Sequence, residues 1–134
     1  MNVVIMGCGR VGARIASELD SEGHAVSVID MEVNAFQLLP REFQGKRVSG
    51  NGVDRRIQLE AGIEAADVFM ALANGDNRNA MAAQVAMHQH KVERVVARIF
   101  DPERAEVYRE LGIEAVNPTT VVAQLALEAA FGTE

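Results

Sequence analysis

The sequence predicts an α/β protein, a doubly wound parallel sheet of six strands in the order 3-2-1-4-5-6 with helices on both faces. Three observations lead there. Short apolar runs rich in Val and Ile alternate with segments of helical period, the pattern of strands covered on both sides. The first run ends in a glycine-spaced turn, GCGRVG, that opens a helix. The chain's 134 residues suit one compact domain and leave little room for a second.

The elements follow in order. NVVIM, residues 2–6, is the first strand. After it Val11, Ile15 and Leu19 recur at four-residue spacing and form an apolar stripe against the sheet, while Arg14 and Glu18 pair at i,i+4 on the other side. AVSVID, 25–30, KRVS, 46–49, and DVFMA, 67–71, are the next three strands, and RVVAR, 94–98, and EAV, 114–116, the last two. Asp101 before Pro102 marks a helix start, a carboxylate at the N-cap and proline at the first helical position, and Gly112 marks its end. Two helices, 80–87 (AMAAQVAM) and 121–131 (VVAQLALEAAF), are apolar on nearly every side. A surface helix of a monomer has a polar face, so each is expected to bury a second surface, most simply against another subunit, unless it is merely rich in helix-favouring small residues.

Composition narrows the function. A net charge of −6 and a pI near 5.1 argue against a nucleic-acid partner, which needs a basic face. One Cys cannot form an intramolecular disulfide, no leader pattern precedes the first strand, and no apolar run approaches the roughly 18 residues that span a bilayer. A cytosolic location is expected.

The glycine turn carries the chemistry. Gly7 permits the tight bend, Gly9 lets backbone N–H groups approach a pyrophosphate, and Gly12 lets helix and strand pack closely, with the helix N-terminus adding partial positive charge. This is a Rossmann-like dinucleotide fingerprint, and Cys8, Arg10 and Val11 belong to the same bend. Cys8 reads as a small packing residue. Arg10 stands in the first helical turn, where the macrodipole disfavours cations, so it either contacts a phosphate or is a solvated surface residue. Asp30, at the end of the second strand, either accepts bonds from ribose hydroxyls or caps the next helix; Met31 follows it rather than Arg, which disfavours NADP.

Further loops lie at carboxyl ends of strands. In SGNGVD, Asn51 beside Gly52 reads an adenine edge or shapes a turn. In ALANGDNRNA, Ala71, Leu72 and Ala73 lead into Asp76, Asn77 and Asn79, which cap the helix or face the ligand. Arg98 points toward the same edge or pairs with Asp101 or Glu103. Catalytic groups are not evident. Tyr108 lacks the Lys of short-chain dehydrogenases, His88 and His90 face different directions, and His24 sits in a turn. A small NAD-dependent oxidoreductase, or the cofactor half of one, is the alternative reading, and it lacks a proton donor or acceptor.

GCGRVG, Asp30, GNGVD, ANGDNRNAMAAQVA, RVVARIFDPERAEVY and LGIEAVNP together resemble, in order and spacing, the nucleotide-binding half of the RCK (regulator of potassium conductance) domain, also called the TrkA-N domain. The resemblance covers almost the whole chain. It implies a non-enzymatic cytoplasmic regulator that binds NAD(H) or an adenine nucleotide (ATP, ADP or AMP) and assembles into homodimers or rings through helices 80–87 and 118–131. It would dock on an integral membrane potassium transporter at the inner face of the membrane. The glycines and Arg10 would hold phosphates, Asp30 the ribose and Asn51 the flank of the adenine, with Asp76, Asn79 and Arg98 completing the pocket. Many relatives have Asp where Asn51 stands. Thr119 follows Pro118 where several have a cation-binding Glu, so no metal is expected. Residues 1–134 are expected to be one such domain without the second, C-terminal subdomain of most relatives.

Overall fold

The computed structural model describes residues 1–132, and the last two residues of the expected domain lie outside it. The strands are Asn2–Met6 (β1), Ala25–Asp30 (β2), Lys46–Ser49 (β3), Val68–Ala71 (β4), Arg94–Arg98 (β5) and Glu114–Val116 (β6). Every neighbouring pair is parallel and the order is β3-β2-β1-β4-β5-β6, as predicted. One boundary moves. Asp67, expected inside β4, instead ties the strand's entrance to β1, its carboxylate accepting the Asn2 N–H at 2.8 Å.

Side chains of β1 alternate between two cores. Val3 and Ile5 join Val26 and Val28 beneath helix Arg10–Ser21 (α1), while Val4 and Met6 join Ile29, Val48 and Phe69 on the other face. That second face is covered by Arg55–Glu60 (α2), Asp76–Gln84 (α3) and Pro102–Glu110 (α4). Asp101 caps α4, accepting the Glu103 N–H at 3.0 Å, and Gly112 closes it at φ +97°.

The expected α1 stripe is corrected. Val11 is 46% exposed, and the residues pressed on the sheet are Gly12, Ala13 and Ala16, with Ile15 and Leu19 at the flank. The tight bend holds the helix too close for large side chains: a Cβ on Gly12 would lie 1.8 Å from the Gly7 carbonyl oxygen.

Helix 80–87 is also quieter than its composition suggests. Ala80, Ala82, Ala83 and Ala86 are buried in the protein's own core, leaving Met81 exposed. After α3 the chain continues as a π turn, Val85–Gln89. The fully buried Gln58 donates to the carbonyls of Ala82, at 3.1 Å, and Gly52, at 2.8 Å, and so bridges this helix to the loop after β3.

The last helix, Pro118–Phe131 (α5), buries none of its residues. Val122, Leu125, Leu127 and Phe131 are 56% to 84% exposed. On the sheet face that α1 covers over β1 and β2, the β5 and β6 end is bare to match, with Val96 half-buried and Val116 exposed. None of the described helices is long and apolar enough to cross a membrane.

Candidate functional site

β1 is flanked by β2 on one side and β4 on the other, so the chain leaves its carboxyl end in opposite directions and a crevice opens there. A cavity of about 350 Å³ occupies it. A larger recess, about 490 Å³, lies at the amino ends of the strands around Asp20, His24 and Lys46. Helices end there rather than begin, so backbone N–H groups do not converge on it.

The floor of the crevice is the bend Gly7, Cys8 and Gly9. The N–H of Gly7 is committed to the Ile29 carbonyl at 2.8 Å and that of Cys8 to the Asp30 carboxylate at 2.7 Å. The next four N–H groups, of Gly9, Arg10, Val11 and Gly12, have no acceptor among the described residues. They are the orphan donors of a helix N-terminus, and no side chain caps them.

The three glycines differ in what requires them. Gly7 has φ +107° and a Cβ there would come within 2.7 Å of the Ala73 nitrogen; Gly12 is excluded from bearing one by the Gly7 carbonyl. Gly9 has an ordinary extended backbone, φ −82°, and a Cβ there would meet nothing within 4 Å. The fold does not need glycine at position 9. The space its Cβ would enter is open and adjoins the orphan amides, which is a fit for an oxyanion.

Asp30 faces the bend. One carboxylate oxygen accepts from Cys8 N–H and the other from Glu32 N–H at 2.8 Å, which combines the site-facing and turn-capping roles read from sequence. Met31, Glu32 and, from the 3-10 turn Val33–Leu38, Ala35 and Leu38 continue that wall. Gly50 and Gly52 contribute from the loop after β3. Asn51 lies outside the lining; its side-chain oxygen accepts the Val53 N–H at 3.1 Å and shapes the turn.

The opposite wall is Leu72, Ala73, Asn74, Arg78 and Arg98. Arg98 forms no ion pair with Asp101 or Glu103. Its guanidinium donates to the carbonyls of Leu72 (2.7 Å) and Ala73 (3.0 Å) and to Asn74 (3.1 Å), and lies 5.4 Å from the centre of the Phe100 ring. Burial lowers its pKa from the ordinary arginine value. The buried Asn79 stands behind this wall, accepting the Ala73 N–H at 3.0 Å and donating to the Ala73 and Arg98 carbonyls, both at 2.8 Å. Asp76 does not cap its helix, whose N-cap is Gly75; its carboxylate takes the N–H groups of Phe100 (2.7 Å) and Asp101 (3.0 Å). Asn77 accepts from Arg104 at 2.5 Å. Asn79 and Asp76 thus serve the loops, because loops crossing a sheet edge carry backbone groups that need partners.

Of the predicted residues, then, Gly7, Cys8, Gly9, Asp30, Met31, Gly52, Leu72, Ala73 and Arg98 line one cavity. Val11, Gly12, Ala71, Asn51, Asp76 and Asn79 do not, and Arg10 faces a separate recess with Arg14 and Pro40. Sequence reasoning missed Glu32, Ala35, Leu38, Gly50, Asn74 and Arg78. Arg78 carried a signal, a cation in the first turn of a helix, the argument already applied to Arg10. The Cys8 thiol is pushed up to about 11, by burial first and then by Asp30, against an opposing effect of Arg47. It is fully buried, an inert packing group.

Fold and site together define a Rossmann-like α/β domain with a glycine bend of unpaired N–H groups at its switch point. The chain belongs to the TrkA-N domain family, whose model matches residues 3–118. It is 52% identical over 116 residues to the Trk system potassium uptake protein TrkA of Streptomyces coelicolor, covering 87% of this chain and 52% of that protein. The chain thus spans about half the length of that relative. Among solved structures it resembles the TrkA-N domain of the inner membrane protein ybaL from Escherichia coli (TM-score 0.85, 21% identity, 96% of this chain and 95% of that one). It also resembles the Kef CTD of Shewanella denitrificans in its AMP-bound form (TM-score 0.77, 24% identity, 97% of this chain and 80% of that one).

Proposed function

We propose that this chain is the nucleotide-binding part of a regulatory, non-catalytic subunit of a potassium uptake system, taking NAD(H) or an adenine nucleotide in the crevice between β1, β2 and β4. The observation that carries the reading is Gly9, a glycine with no steric reason in the fold, beside four unpaired N–H groups. The bend would receive the phosphates and Asp30 the ribose hydroxyls, with Gly50 and Gly52 leaving room for the base. The relative named as a potassium uptake protein supports the transport role, and the AMP-bound neighbour supports the ligand class.

Regulation requires that the ligand prefer one assembly state, since equal affinity for two states shifts neither. α5 and the bare face of β5 and β6 are the surfaces proposed to pair in a homodimer or ring; on α3 the exposed apolar side chain is Met81. The subunit is proposed to act in the cytoplasm, docked on the transporter at the membrane's inner face.

Mass spectrometry of the gently purified protein, looking for retained nucleotide, with calorimetric titration of ADP, AMP and NADH, tests the reading. Binding weakened by Asp30→Ala is expected. Absence of binding by all three ligands would defeat it.

A further inference from the structure

Arg78 is a cation without an anion. It is the third residue of α3, within the first turn, where the helix dipole disfavours positive charge. It is exposed and forms no ion pair among the described residues. Its guanidinium lies instead against the Met31 thioether, a weak acceptor.

The place of this contact matters more than its strength. α3 follows β4, Met31 follows β2, and β1 with its glycine bend lies between those strands. Arg78 therefore spans the crevice from one wall to the other at the switch point, and both partners line the cavity. The second lining guanidinium, Arg98, is tethered through its Nη2, which donates to two carbonyls and an asparagine. Arg78 is thus the cation of this wall free to change partners.

We propose that Arg78 is a strap that leaves Met31 for the phosphate oxygens of the ligand, so that the site selects nucleotides by the charge of their phosphate chain. A diphosphate suits it: the orphan amides of α1 face the oxyanions from the bend, and a guanidinium reaching over from the β4 side supplies the opposing donors. The inference rests on the nucleotide reading above and deepens it. A guanidinium stacked on the base would be a different device, blind to phosphate number.

Calorimetry with ADP, AMP and adenosine on the parent protein, Arg78→Met and Arg78→Lys separates these cases. Arg78→Met should lose roughly tenfold or more in ADP affinity, less for AMP and nothing for adenosine, with Arg78→Lys recovering part of the loss. The salt dependence of ADP binding should also become shallower in Arg78→Met. Equal losses for adenosine and ADP, or no change for either, overturn the strap while leaving the nucleotide reading standing. A parent protein that binds none of ADP, AMP and adenosine overturns the strap, and one that does not bind NADH either overturns the nucleotide reading with it. Because Arg78 is exposed, unchanged thermal melting of the variants is the control for folding.

Discussion

Gly9→Ala separates what the fold requires from what the ligand requires. At φ −82° and ψ −163° alanine fits the backbone, and its Cβ would meet nothing within 4 Å. Restricting the unfolded chain favours alanine by about 0.4–1 kcal/mol. The residue is also the N-cap of α1, where alanine is poorer than glycine by up to about 1 kcal/mol. The two effects offset, so the variant should melt within about 4 °C of the parent. Gly12→Ala is the contrast. Its Cβ would stand 1.8 Å from the Gly7 oxygen, so α1 must retreat, at a cost at the upper end of about 1–3 kcal/mol. For binding the order reverses in meaning. Gly9→Ala puts a methyl into the space beside the orphan amides, and loss of one or two hydrogen bonds to a charged phosphate, about 1.5–3 kcal/mol each, lowers ADP affinity at least tenfold. Differential scanning calorimetry and ADP titration of both variants make the comparison. A Gly9→Ala protein that binds ADP like the parent refutes the assignment of the bend to phosphate; one that unfolds refutes the steric argument.

Asn79→Ala should lower stability by about 2–4 kcal/mol in chemical denaturation, because it strands the Ala73 N–H and the Arg98 carbonyl that Asn79 now pairs. His90 is held below its ordinary pKa of 6.5, by burial first and then by the charge of Arg55, against the opposing pull of Glu64. The unfolded chain therefore binds that proton more readily, and stability contributed by neutral His90 falls as pH drops below about 6.5. His90→Gln should flatten this slope in melts between pH 7 and 5, and an unchanged slope counts against it. Leu125→Glu on α5 should leave the monomer's melting unchanged, since α5 buries nothing within the protomer, while reducing assembly in sedimentation. A parent protein that sediments as a monomer at all concentrations would remove the role proposed for that helix.

Much of the architecture was legible because it is local. Apolar runs rich in Val and Ile, the Asp101–Pro102 start and the Gly112 stop are properties of adjacent residues, and each appears where the sequence places it. Legibility failed where small residues mattered. The apolar periodicity of Val11, Ile15 and Leu19 pointed to the wrong line of α1, because close approach to the sheet rewards Gly12, Ala13 and Ala16 instead. Alanines 80, 82, 83 and 86 likewise read as surplus surface and are core.

By itself the sequence determined the strands, the doubly wound parallel sheet and the glycine bend, which follow from apolar runs alternating with helical segments and from turn chemistry. Only the tertiary structure decided which polar groups reach the crevice. Strand order brings the loops after β2, β3, β4 and β5 to one edge, and their unpaired backbone groups compete there for the same side chains. Asp76, Asn79 and Asn51 are taken by that competition, Arg10 is carried onto another face, and Arg78 arrives from across the sheet.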